Sequence, residues 1–301
     1  MKRMGTWAAL AALLAAPAAY AQDDTEVFRQ TGQWAVDYGD EYCRLAGTFS
    51  NGKDELSFVA ERLQPGTALR LLIVADSLKT FRSAEEFGYH FLPSGPPRTL
   101  RPLRGETAQG TQFYNFGTVY LAELRPPAPG TPPPAGPPVY DRTAERAAAR
   151  GVTGLSLDSG WTETVRIETG PLGAPIAALQ ACADDLLTQW GLDAAKHQTM
   201  TKPAMPAGAT AEWVPSGSVR FSDFGDLRAS QNQFRVMVDA TGKPTKCDVL
   251  WPSLGRSTNE RMCAAILEKG RFSPALDKDG QPMASYWMTE TFAFMGPPGG
   301  R

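Results

Sequence analysis

Four cysteines behind an export-type leader constrain this chain more than any other feature. Lys2 and Arg3 precede an apolar run over 7–16, Pro17 ends it, and Ala19-Tyr20-Ala21 supplies a small-x-small cleavage pattern. The run falls short of the ~20 apolar residues a membrane span needs, so residues 1–21 read as a signal that is removed. No cysteine follows the cleavage region, which disfavours a lipid anchor. In an oxidising compartment Cys43, Cys182, Cys247 and Cys263 read as two disulfides, with three pairings open. No Cys-x-x-Cys occurs, so neither a thioredoxin-like redox pair nor a zinc knuckle is supported.

Charge and histidine content narrow the function classes. Thirty basic against 32 acidic residues give a net charge of −2, which leaves no footprint for nucleic acid or an anionic membrane surface. Two histidines, His90 and His197, exclude a His-rich metal site and leave little acid–base machinery near neutral pH. No G-x-S-x-G elbow, P-loop, G-x-G-x-x-G fingerprint or H-E-x-x-H is present. Asp184-Asp185 and Glu85-Glu86 are adjacent pairs, and neighbours on a helix do not face each other, so Asp184-Asp185 reads as solvated. His90, between Tyr89 and Phe91, reads as a satisfied, partly buried histidine, and His197 as exposed. An enzyme, a metal and a cofactor are therefore not expected; an exported hydrolase with distant carboxylates, which leave no local spacing, is the remaining alternative.

At 301 residues the chain has room for two ordinary domains after the signal. The expected fold class is α+β: a β-rich domain over 22–193 closed by a helix, a linker over 194–215, and a small ββαβ domain over 216–296. In the first, Leu56, Phe58 and Ala60 alternate with Ser57, Val59 and Glu61. Gln64-Pro-Gly-Thr67 then suits a type II turn before the apolar run 68–75, together a hairpin. Residues 163–168 read as another strand. The 25 prolines exceed the ~5% of average usage, and the densest stretch, 125–138, reads as an exposed loop before a short helix over 141–150. A longer helix is expected from Pro175 to Trp190, stopped by Gly191, with Ile176, Leu179, Leu186 and Trp190 on one stripe. Cys182 lies on that stripe, where it can staple the helix to the sheet through Cys43.

In the second domain Phe234, Val236 and Val238 alternate over 233–239, Ala240-Thr-Gly242 turns, and Cys247, Val249 and Trp251 alternate again, a hairpin pattern. Ser257 and Glu260 read as a capping box opening a helix that Gly270 ends. A long last strand over 284–294 follows an Asp279-Gly280 turn.

Val236-Met-Val-Asp-Ala-Thr-Gly-Lys-Pro-Thr, a helix containing Ala264-Ala-Ile-Leu, then Arg271-Phe-Ser-Pro-Ala and Asp279-Gly-Gln-Pro together resemble the TonB C-terminal domain family, over about 215–295. Trp251-Pro-Ser253 stands where the family carries a serine-containing segment. The first domain resembles no family. The resemblance implies a periplasmic protein of a Gram-negative bacterium whose second domain binds protein or peptide segments, such as those of outer-membrane receptors, by adding them as a strand. The edge implied is the last strand: Tyr286, Trp287, Met288, Thr289, Glu290, Thr291 and Phe292. Within this domain Cys247 and Cys263 fall on the second hairpin strand and on the helix packed over it, so pairing by domain joins Cys43 to Cys182 and Cys247 to Cys263. The chain departs from an energy transducer in its cleavable leader and in a folded domain where a long spacer belongs. Coupling to transport follows only if the leader stays in the membrane, and a cell-envelope structural role is the other alternative.

Overall fold

The computed structural model describes residues 25–121, 140–213, 229–250, 254–289 and 292–295. The leader 1–21, the Pro-rich stretch 125–138, Trp251-Pro-Ser253, Glu290 and Thr291 lie outside the described residues.

Alternating apolar residues build the first sheet. In order come β1 (Thr25–Gln30), β2 (Ala35–Tyr38), β3 (Cys43–Ser50), β4 (Glu55–Arg62) and β5 (Leu69–Val74). They are followed by β6 (Phe87–Leu92), β7 (Arg98–Leu100), β8 (Leu103–Glu106) and β9 (Gln112–Val119). After helix α1 (Arg142–Gly151) come β10 (Gly154–Leu157), β11 (Thr164–Glu168), α2 (Gly173–Gln189) and α3 (Ala194–Gln198). The strand order is β7-β6-β10-β11-β1-β3-β4-β5-β9-β8, with β2 on β3. β1 and β11 run parallel, whereas consecutive strands such as β3, β4 and β5 form antiparallel hairpins.

The sheet curls, because aromatic rings from strands far apart in its order meet. Tyr89 of β6 stands edge-on to Phe116 of β9 with centroids 5.8 Å apart, and Trp161 packs on Phe87, Tyr114 and Phe116. Inside this curl Leu45, Phe58 and Leu71 meet Leu172 and Ile176 at the start of α2. The Cys43–Cys182 disulfide ties α2 to β3, as the apolar stripe predicts. Helix α1 starts where Asp141 accepts from the backbone N–H groups of Thr143 and Ala144, satisfying two otherwise orphan donors. α2 begins two residues before Pro175, at Gly173. The Leu172 N–H is anchored to the carbonyls of Ala149 and Val152, and its own carbonyl accepts from Ile176, which fixes the first turn early.

A second cluster of buried side chains follows, with Phe234, Val236, Val238, Met262, Ile266, Phe272 and Met283 at its centre. Its elements are β12 (Met205–Pro206), β13 (Ala229–Val238), β14 (Pro244–Leu250), α4 (Arg256–Lys269), β15 (Phe272–Ser273), β16 (Ala275–Leu276), β17 (Pro282–Met283), β18 (Ser285–Met288) and β19 (Phe292–Met295). β13 is central, with β14 on one side and both β18 and β19 on the other. Of the last strand expected over 284–294, the described residues show two pieces on β13, β18 and β19, with Glu290 and Thr291 between them outside the described residues. Cys247 of β14 is bonded to Cys263 of α4, which holds the helix on the sheet.

Two expectations are corrected here. Ser257 and Glu260 form no capping box: α4 starts at Arg256 after Gly255, whose carbonyl accepts from Thr258 and Asn259, and no side chain caps it. Asn259 is buried and bonded to Asn232 and to the Leu254 carbonyl, and this pull draws the helix start ahead of Ser257. Residues 194–213, expected as linker, are built into the fold through α3, the pairing of β12 with β15, and a bridge from Lys202 to Leu276. Trp213 is buried between Phe272 and Trp287. Polar, Pro-containing composition does not distinguish a free linker from a strap paired through its backbone.

The β13–β14 turn depends on Gly242. Its φ of +87° is left-handed, and a Cβ would lie 2.1 Å from the Phe272 carbonyl oxygen, a backbone atom that cannot swing away. Gly242→Ala is expected to cost at least about 2 kcal/mol in a urea titration, combining left-handed strain with that overlap. Gly280→Ala at φ +74°, with open space around the Cβ, should cost less.

Candidate functional site

The free edge of β18 follows from its register. Arg235 to Val238 face Met288 to Ser285, and the Thr289 N–H donates to the Phe234 carbonyl. In an antiparallel pair every second residue points both backbone groups at its partner. Thr289 and Trp287 therefore point inward to β13, and Tyr286 and Met288 point their N–H and C=O groups outward. Among the described residues no strand pairs with that outer side. Thr289 strengthens the inner side: its Oγ1 accepts from the Phe234 N–H at 2.9 Å, and its carbonyl accepts from Gln233 Nε2 at 2.9 Å.

Aromatic groups flank the edge on both faces. On the α4 side Trp287 meets Phe272 and Trp213 at centroid distances of 5.6 and 5.8 Å. On the opposite side Tyr286 stands edge-on to Trp190 at 5.3 Å and stacks on His197. Of the seven expected strand residues, four are therefore placed together along β18 and its end. Glu290 and Thr291 lie outside the described residues, and Phe292 opens β19.

The face of β13 away from α4 is not solvated. Arg235, 1% exposed, bridges Glu41 and Asp248 Oδ2, the latter at 2.6 Å, and its guanidinium lies 3.9 Å from the centre of the Trp190 ring. Burial pushes the Asp248 carboxyl up, but hydrogen bonds from Lys246 and Arg235 outweigh it and hold the group below its usual range. Burial drives the Tyr286 hydroxyl well above its ordinary value, with the Arg235 charge opposing. Arg70 of β5 adds a bond to Gln233 Oε1 at 3.3 Å, and burial lowers its pKa to about 10 against the pull of Glu61. The two clusters thus meet through paired charges and rings. In the sequence Gln233, Arg235 and Met237 look like the wet half of an alternating strand, and only the packing of Trp190 and Glu41 reveals otherwise.

Elsewhere the ionisable side chains are mostly engaged by partners. His90 Nδ1 lies 2.7 Å from Asp158 Oδ2, and Ser156 Oγ donates to Asp158 Oδ1 at 2.6 Å. The hydroxyl spends its proton on the carboxylate rather than on the imidazole, so the three do not form a nucleophile–base pair. Neither Asp158 nor Ser156 was singled out by the sequence; their i, i+2 strand spacing opposite His90 is the signal that places them on one face. Asp184 is paired with Arg142 at 2.5 Å, while Asp185 is exposed. Glu85 and Glu86 are exposed and share Arg101. A polar cleft of about 130 Å³ lies between Glu26, Lys53, Asp54, Ser77, Lys79 and Glu163, with charges of both signs in its lining. His197, expected to be exposed, is instead half-buried against β18.

Among the described residues no group of three or more His, Cys, Asp or Glu side chains is placed to hold a metal ion. No described helix is long and apolar enough to cross a membrane. No protein-family model matches the chain, and no curated protein or solved structure is significantly similar to it.

Proposed function

We propose that this is an exported, periplasmic binding protein whose C-terminal unit is a TonB-like module that takes up an extended peptide as an added strand on β18. The observation that carries the reading is the pair of outward-directed backbone groups on Tyr286 and Met288, at a strand edge with no partner among the described residues. Unpaired edges are liabilities that proteins normally cover or charge, and an edge left open beside aromatic rings suits a partner strand. The order of β13, β14, α4 and β18 agrees with the resemblance in the sequence, and two disulfides suit an oxidising compartment. The peptides expected to bind are periplasmic segments of outer-membrane receptors. The first unit then serves as the body on which the module is mounted, through Arg235, Trp190 and Tyr286.

Met288→Pro tests the reading. It deletes one outward N–H without touching the ladder to β13, since edge positions tolerate proline. Affinity for receptor-segment peptides, measured by calorimetry, should fall by about tenfold, the worth of one main-chain hydrogen bond, with the melting temperature unchanged. Equal affinity in the variant would remove the edge from the binding mode.

A further inference from the structure

The polar cleft of about 130 Å³ lies at one end of the curled sheet, the kind of place where barrel-like folds commonly hold ligands. β1 runs parallel to β11 and antiparallel to β3, and β5 is antiparallel to β4. The start of β1, the β3–β4 turn, the loop after β5 and the approach to β11 therefore meet at that end. Glu26 stands opposite Val165 in the ladder and two residues before Phe28, which is 0% exposed. Alternate residues share a face, so Glu26 directs a carboxylate to the inner side of the curl, at its rim.

Asn51 organises the acidic side of the cleft. Its Nδ2 donates to Glu26 Oε1, and its Oδ1 accepts from the N–H groups of Lys53 and Asp54 at 2.8 and 2.7 Å. The Asp54 carboxylate meets a cation only at 4.0 Å, from Lys53, whose side chain is 88% exposed. The facing loop is pinned as well. The Leu78 carbonyl accepts from the Tyr114 hydroxyl at 2.9 Å, and the Lys79 carbonyl from the Thr162 N–H at 3.0 Å. Even so, Ser77 Oγ is buried with no hydrogen-bond partner. The Lys79 ammonium and the Glu163 carboxylate line the same cleft, yet pair neither with each other nor with another described residue. Opposite charges held apart across a cavity complement a ligand that carries both signs.

We propose that this cleft binds a small zwitterionic α-amino acid, of the size of alanine or serine. Its ammonium lies between Glu26 and Asp54, its carboxylate on Lys79 and Ser77 Oγ, and its short side chain against Leu78 and Val165. The volume sets the size: a cavity of about 150 Å³ admits benzene, so this one takes about six heavy atoms. Among the described residues no three acidic groups converge to hold a metal ion, whereas an ammonium is satisfied by two or three acceptors. Glu163, exposed at the lip, repels a plain anion that lacks the ammonium. The site is separate from the β18 edge and does not depend on strand addition.

The isotope-labelled full chain is titrated with L-alanine to about 10 mM, which detects millimolar affinity. L-Leucine, N-acetyl-L-alanine, L-alaninamide and calcium chloride are separate probes. L-Alanine should give saturable amide shifts at 26, 53–54, 77–79 and 162–165. Leucine, and each analogue lacking one charge, should bind at least about tenfold more weakly. Lys79→Gln and Asp54→Asn should each weaken alanine by a similar factor, with the melting temperature unchanged. Shifts that fail to saturate, or that calcium chloride alone reproduces, would overturn the site. Equal binding of a singly charged analogue would overturn the zwitterion, and equal binding of leucine the size limit. Undiminished affinity in both variants would overturn the assigned contacts.

Discussion

A chain with both Cys43 and Cys182 replaced by alanine is expected to lose about 5 kcal/mol of stability in the chain-entropy account of a long closed loop. The two cysteines are 139 residues apart, and nearly the whole curled sheet lies between them. Without the link the unfolded chain regains that freedom, while β3 and α2 keep only their packing, with Leu45 and Leu172 meeting inside the curl. Replacing Cys247 and Cys263, 16 residues apart, should cost less, about 3 kcal/mol, because the loop is short. Thermal unfolding followed by circular dichroism checks the order: the first pair should lower the main transition by roughly 10 °C or more, and the second by less. Equal losses would mean that the links act through local packing rather than loop closure.

The second large effect lies in the buried charge pair between β4 and α1. Arg62 is 0% exposed and Glu145 1% exposed, with Nη2 and Oε1 2.5 Å apart. Glu145 Oε2 also accepts from Gln180 Nε2 at 2.8 Å and from the Tyr140 hydroxyl at 3.0 Å. Burial pushes that hydroxyl up to about 12, so it stays protonated and keeps donating. Glu145→Ala strands a guanidinium in a dry site and should cost about 3–5 kcal/mol in urea unfolding. Arg62→Met combined with Glu145→Leu removes both charges and should recover most of that loss, because the pair itself contributes little net stability once its desolvation is counted. A double variant as unstable as the single one would show that the pair stabilises rather than specifies the fold.

What was legible in the sequence is what local pattern controls. Alternation at 56–60 and 234–238 marks strands because those faces are buried within their own sheets. Cys182 on the helix stripe and Cys247 on an inward strand position give the disulfide partners, since a bond needs side chains on facing surfaces. What was not legible depends on chain segments far apart. Ser257 has the right neighbours for a cap, but Asn232, brought over from β13, engages Asn259 and moves the helix start. Arg235 and His197 have no local signature; each becomes distinctive only when the first unit lays Trp190, Glu41 and α3 against the second sheet. The choice of the last strand as the edge came from the family resemblance, whereas its inward and outward amides required the register with β13.

That register makes the central claim measurable residue by residue. Receptor-segment peptides are titrated into the isotope-labelled chain, and amide shifts are read along β18. Strand addition predicts the largest shifts and new exchange protection at Tyr286 and Met288, the outward amides, with Trp287 and Thr289 little changed because β13 already holds them. Saturable binding that leaves Tyr286 and Met288 unmoved would contradict the account.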